Sequence, residues 1–191
     1  MKRYTNKEAL RHCDSSLYRA PDGYTADIAV FTIVDEPERN KKKLKLLLIK
    51  RAMLNANNQP NIEAGKWALP GGFGTEHETA YQTAVRELSE ETGVTGIHVN
   101  HFGVFDTPGR DPRGWVISNA HYAIVPSCYL DKRKAADDAE ECQLFSIESV
   151  SELSLAFDHR EIIKGAIERV RRELLQTTLA KYFFAGGIHI I

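Results

Sequence analysis

Apolar positions along the chain follow two rhythms, one suited to strands and one to helices. "YTADIAVFTIV", residues 24–34, reads as a strand, and "LKLLLIKR", residues 44–51, as a second whose nearly unbroken apolar run predicts burial on both faces. "DEPERNKKK" connects them, with Lys41, Lys42 and Lys43 forming a solvated hairpin tip. A polar loop, "MLNANNQPNIEAG", leads to a short strand, "KWALP", that runs into Gly71 and Gly72. Residues 76–92 have helical character, while 96–106 and 114–126 look like strands. A long charged loop, "SCYLDKRKAADDAEE", precedes a last strand, "CQLFSI". From Asp158, a candidate N-cap, Ile162, Ile163, Ala166, Ile167, Val170, Leu174 and Leu175 recur at helical spacing. Strands first, one helix among them and a long helix last predict an α+β, or mixed α/β, sandwich with a mixed sheet between helices, not a doubly wound sheet. Three segments result: a polar extension over residues 1–22, a domain over 23–176, and an apolar tail over 177–191.

Composition adds limits. The chain has 191 residues, enough for one domain with a sizeable core. A net charge of −1 excludes a global field that would draw in nucleic acid or an anionic membrane, so an anionic substrate must be met by local cations or a metal. Cys13, Cys128 and Cys142 are odd in number and lack C-x-x-C spacing, which suits reduced thiols in a cytoplasmic protein. "MKRYTNKEALRHCDSS" has no apolar run of the kind found in signal peptides, and no stretch is apolar enough to span a membrane. In the tail, Tyr182, Phe183, Phe184, Ile188, Ile190 and Ile191 are poorly suited to solvent, and burial at a homodimer contact is expected.

The candidate chemistry lies in "GGFGTEHETAYQTAVRELSEETGV", residues 71–94. At about 100° per residue, Glu91 lies roughly 40° to one side of Glu87 and Glu90 roughly 60° to the other, so three carboxylates share one helix sector. Tyr81, Ala84, Val85 and Leu88 fill the adjoining sector and would pack on the core. Like charges at this spacing repel. A hard divalent cation among them would resolve the repulsion, and magnesium is the usual choice when phosphates complete its shell. Without a cation at least one of these acids should have a raised pKa. Gly71 and Gly72 would let the backbone approach the ion, Arg86 sits four before Glu90 and can brace it, Glu78 is placed one turn into the helix, and Gly93 would end it as a left-handed cap.

The order Gly72, Glu78, Arg86-Glu87-Leu88, Glu90-Glu91, Gly93-Val94, with its spacing, resembles the complete signature of the Nudix hydrolases at every fixed position. The flanking strands resemble that family over about residues 24–176. The resemblance implies a mixed sheet between helices and hydrolysis of a nucleoside diphosphate linked to another group. It implies that Glu87, Glu90 and Glu91, with the Gly72 carbonyl, ligate magnesium or manganese, and that Arg86 and Glu78 support them. Water would attack one phosphorus with no covalent protein intermediate.

"FDTPGRDPRGWVISNAHYAIV", residues 105–125, resembles a subgroup acting on ADP-ribose, which includes the hydrolase halves of bifunctional nicotinamide mononucleotide adenylyltransferases and the Nudix-type repressors of NAD metabolism. The resemblance implies that Arg110 and Arg113 meet the diphosphate or ribose. The alternative is that they pair with Asp106 and Asp111. Phe105 is a candidate adenine platform, and Arg51 a further substrate contact. "KAADDAEECQLFSI" implies a general base from the acidic loop, with Glu140 or Asp138 favoured over Asp137 and Glu141. The expected function is metal-dependent hydrolysis of ADP-ribose to AMP and ribose 5-phosphate. Two alternatives stay open: another diphosphate substrate (a damaged nucleoside triphosphate, NADH or a nucleotide sugar), or an ADP-ribose-sensing regulator. Repressor relatives carry a winged-helix domain after the long helix, and the residues beyond Gln176 are too few for one, so nucleic acid is not the expected partner.

Overall fold

Strand β1, Gly23–Glu36, organises the sheet. The structure, a computed structural model, describes residues 5, 7, 8, 11, 14, 19–36, 41–55, 57–131 and 139–176. Most of the polar extension and the whole apolar tail, with its expected dimer contact, lie outside the described residues, as does Cys13. Along one edge β1 pairs in parallel with β6, Val116–Pro126, from Gly23↔Val116 to Ile33↔Pro126. On its other edge it takes two antiparallel partners in turn. Phe31–Glu36 pair with β2, Lys41–Arg51, and Thr25–Asp27 pair with β4, Gly71–Phe73. β3, Trp67–Ala68, and β7, Ala139–Ser146, pair with β2, and β5, Asn100–Phe105, closes the far edge beside β6. The sheet is mixed, as expected.

Residue alternation along β1 assigns the two faces. Ala26, Ile28 and Val30 turn toward helix α1, Ala80–Thr92, which buries Ala84 and Leu88 against them. Ala29 and Phe31 turn toward the short helix α2, Ile147–Val150, and the long helix α3, His159–Gln176, which supplies Ile162, Ile163, Ala166, Val170 and Leu174. β2 is buried on both faces, as its apolar run predicts: Leu46 and Leu48 join the α3 side, Leu47 the α1 side. The result is a three-layer α/β/α sandwich.

Several boundaries differ from expectation for local reasons. α1 starts at Ala80, not near residue 76, because Thr79 and Gln82 close a capping box: the Thr79 side chain accepts from the Gln82 N–H and the Gln82 side chain accepts from the Thr79 N–H. Glu78 therefore precedes the helix instead of lying one turn inside it. At the other end Gly93 is the expected left-handed cap, with φ 69° and its N–H donating to the Ser89 carbonyl. β5 begins only at Asn100, since Gly96 at φ 72° keeps the chain turning before it. β7 begins at Ala139, so Glu140 and Glu141 belong to a strand and not to the acidic loop. Cross-strand register places Glu141 opposite Lys50, and the two form an ion pair at 2.8 Å.

Candidate active site

A cleft of ≈ 170 Å³ opens where β2 ends, β4 begins and α3 starts. The three carboxylates of α1 stand differently toward it. Glu91 is buried, and its Oε2 accepts from the Gly71 N–H at 2.8 Å. Glu87 is half-buried and lines the cleft beside the Gly72 backbone. Glu90 is exposed and does not line it. Burial pushes the Glu91 carboxyl well above the usual range; Glu87 and Asp27 push the same way, while the Gly71 N–H and Arg51 oppose them. Glu87 is also raised by burial, with Arg86 opposing. The expectation of a raised carboxyl is met twice.

Arg86 is the internal countercharge. Its Nε donates to Glu78 Oε1 at 2.7 Å, its Nη1 to Glu87 Oε1 at 2.7 Å and to Glu90 Oε2 at 2.8 Å, and its Nη2 to the Phe73 carbonyl at 3.0 Å. It thus braces Glu90, as its spacing predicts, and draws in Glu78 from the loop. Glu78 also accepts from the Thr75 N–H and the Thr83 hydroxyl, and Arg86 holds its carboxyl down at about 2.

The donor chemistry suits a hard divalent cation, since the facing groups are carboxylate oxygens with a glycine backbone free of side-chain obstruction. A Cβ at Gly72 would fall 2.4 Å from Glu87 Oε1, so glycine is what allows this approach. Among the described residues no three acidic, histidine or cysteine side chains form a ready-made cation cage, because Glu87 and Glu90 are turned to Arg86. Glu87 and Glu91, with the Gly72 backbone, are the residues that could hold an ion, and Glu90 would have to swing in.

The cleft also has cationic lining. Arg51, Arg110 and Arg113 all line it. Arg51 donates from Nε to the Ile62 carbonyl and from Nη2 to Asn61 Oδ1. Arg113 is held by Asp111, as one of the two sequence alternatives has it, with Nη2 donating to Asp111 Oδ2 at 2.6 Å. Arg110 pairs not with Asp106 but with Asp158, through Nε at 2.8 Å and Nη2 at 2.6 Å. Phe105 does not line the cleft; it packs edge-on against Phe102 beneath α3. Asp137 and Asp138 lie outside the described residues, as does the side chain of Glu140.

Sequence reasoning missed Asp27, Phe73, Phe157 and His159, all of which line the cleft. Asp27 is buried and accepts from the hydroxyls of Thr25 and Ser118, and the His159 Nε2 lies 3.6 Å from its Oδ1. Since the Leu69 N–H donates to His159 Nδ1 at 2.9 Å, that nitrogen carries no proton and Nε2–H faces Asp27. Burial lowers the His159 pKa despite Asp27 and Asp158, consistent with the neutral tautomer. A lone aspartate inside the apolar run "ADIAVF" was the available signal for Asp27.

Residues 24–166 match the NUDIX domain family. The chain belongs to that family. Among relatives of the Nudix chain, the ADP-ribose pyrophosphatase of Methanocaldococcus jannaschii is 43% identical over 124 residues, 65% of this chain and 66% of that protein's length. A mutT/nudix family protein from Listeria innocua is 53% identical, with a TM-score of 0.73 over 83% of this chain and all of the other. The NUDIX domain of Shewanella oneidensis NrtR, in a cocrystal structure with ADP ribose, is 29% identical, with a TM-score of 0.68 over 87% of this chain and 99% of that one. The Nudix signature coincides with the β4–α1 segment, whose Glu87 and Glu91 line the cleft.

Proposed function

We propose that the protein hydrolyses ADP-ribose to AMP and ribose 5-phosphate with a divalent metal ion, magnesium or manganese. The observation that carries this reading is one cleft lined both by the Glu87 and Glu91 carboxylates and by Arg51 and Arg113. The resemblance to the archaeal ADP-ribose pyrophosphatase supports the substrate. A bound ion would supply an acidified water and neutralise charge building on the phosphate oxygens. The chain's own contribution is to present the donors and hold the substrate. Gly71 fixes Glu91 through its N–H, and Arg86 keeps Glu87 and Glu90 on the same side of α1. Arg51 and Arg113 supply N–H donors to the diphosphate, for which planar guanidinium groups are well matched. Glu140 and Asp138 remain the proposed sources of the general base. The reading is tested by incubating the protein with ADP-ribose and magnesium and separating the products. AMP and ribose 5-phosphate are expected, lost on chelation; no turnover in either metal would overturn it.

A second reading is that the domain binds ADP-ribose as a sensor without turning it over; the likeness to the NrtR domain, crystallised with ADP ribose, supports the binding. Binding of ADP-ribose in calorimetry, with no product formed, would select it. Among the described residues no helix is long and apolar enough to cross a membrane. A cytoplasmic location and a homodimer through residues 182–191 are retained as proposals. Loss of the dimer on deleting that segment, seen by gel filtration, is the expected outcome.

A further inference from the structure

Three consecutive residues, Phe157, Asp158 and His159, each take a different partner at the cleft. Asp158 holds Arg110, and His159 accepts the Leu69 N–H. Just before them, the Ala156 N–H donates to the Trp67 carbonyl at 2.8 Å, tying the segment to β3. Phe157 lies between these anchors, and its backbone sits in the left-handed region at φ 49°. A bulky side chain is disfavoured there, and such a conformation persists only where the surroundings enforce it. Its ring lies within 5.2 Å of the Arg51 guanidinium carbon and 5.0 Å of that of Arg113. Arg113 in turn lies 4.5 Å from the Phe73 ring.

We propose that Phe157 is a positioning residue, held in a strained backbone so that its ring fixes the Arg51 and Arg113 guanidinium groups toward the diphosphate of a bound nucleotide. The inference rests on the reading that a nucleoside diphosphate occupies the cleft. Hydrogen bonds hold each guanidinium along one edge: Arg51 donates to the Ile62 carbonyl and to Asn61, and Arg113 to Asp111. The Phe157 ring beneath both guanidinium carbons adds a further restraint on the direction in which their N–H groups point. A guanidinium held over an aromatic ring keeps its remaining N–H groups for phosphate oxygens.

The test compares F157G, F157A and F157Y with the natural protein. Glycine and alanine both delete the ring, but only glycine accepts the left-handed backbone without strain. F157G should therefore melt above F157A. If the ring orients the arginines, both variants raise KM for ADP-ribose by about tenfold while kcat stays within about twofold, the pattern of lost uniform binding. F157Y should restore KM. If the ring served only the core, KM would follow melting temperature, and F157G would bind better than F157A; that result, or an unchanged KM in both, overturns the proposal. Titration with inorganic pyrophosphate separates this from the substrate reading. Should the natural protein fail to hydrolyse ADP-ribose, weaker pyrophosphate binding by F157G and F157A would still support the role of Phe157, and equal binding would refute it.

Discussion

The Glu87 carboxylate fills the space where a side chain at Gly72 would stand: a Cβ there would lie 2.4 Å from Oε1 and 2.7 Å from Oε2. The obstructing atoms are the far end of a flexible side chain. Gly72→Ala should therefore displace Glu87 at little cost to the fold, about 1 kcal/mol or less, while lowering turnover by roughly two orders of magnitude or more. Gly71→Ala contrasts with it. There a Cβ would meet the Ala26 carbonyl at 2.5 Å and the Asp27 Cα at 2.8 Å, both backbone atoms that cannot move aside. This variant should unfold at distinctly lower denaturant. Equal urea midpoints for the two would refute the distinction.

Glu91 is a buried acid whose carboxyl is raised by desolvation. A raised folded-state pKa stabilises below the ordinary carboxylate range and is a penalty above it, because the folded state resists losing the proton. Glu91→Gln keeps the size and removes the charge. In metal-free buffer near pH 7 the variant should melt at or above the natural protein, and the gap should close as pH falls from the raised folded value toward the ordinary glutamate range. Added magnesium should stabilise the natural protein more than the variant, whose turnover should be abolished. A variant with near-normal rate would remove Glu91 from the metal assignment.

How far the sequence carried can be judged from particular residues. The sandwich was legible because β2's apolar run and α3's spacing report directly on which faces meet the core. The β4–α1 segment was legible because its chemistry lies within one local stretch. The cationic part of the cleft was not. Arg110 finds its partner 48 residues away, on Asp158, and no local pattern announces that contact. Phe157 needs a positive φ that nothing in "SLAFDH" signals. Helical character in the sequence extends back past Thr79 to Glu78, and only the capping geometry sets the true start at Ala80. Phe105 falls on the α3 face of β5, where it packs among apolar neighbours.

Glu78 gives a separate pH signature. Its carboxyl is held at about 2, chiefly by the Arg86 hydrogen bonds. A depressed acid contributes stability that is present above its unfolded pKa and lost as pH falls through the folded one. Glu78→Gln should therefore melt below the natural protein at neutral pH, with the difference shrinking from about pH 4.5 toward pH 2. A difference that stays constant over that window would mean that the Glu78–Arg86 pair carries no linked stability.

Arg110, which lines the cleft, forms a largely buried ion pair with Asp158, with side-chain exposures of 3% and 18%. Burial alone would lower the arginine's pKa, but the carboxylate beside it outweighs that and the net shift is upward, so the guanidinium stays charged. Removing one partner strands the other. Asp158→Ala leaves a charged Arg110 with little water, and pairs of this kind typically lose about 3–5 kcal/mol when broken. Replacing both, as Arg110→Met with Asp158→Leu, removes the stranded charge and should recover most of that loss. Urea denaturation of the two single variants and the double variant gives the coupling directly. Additive losses, with the double variant the weakest, would mean that the two side chains stabilise the cleft independently. Coupled losses with impaired turnover in the stable double variant would assign Arg110 to substrate as well as to Asp158.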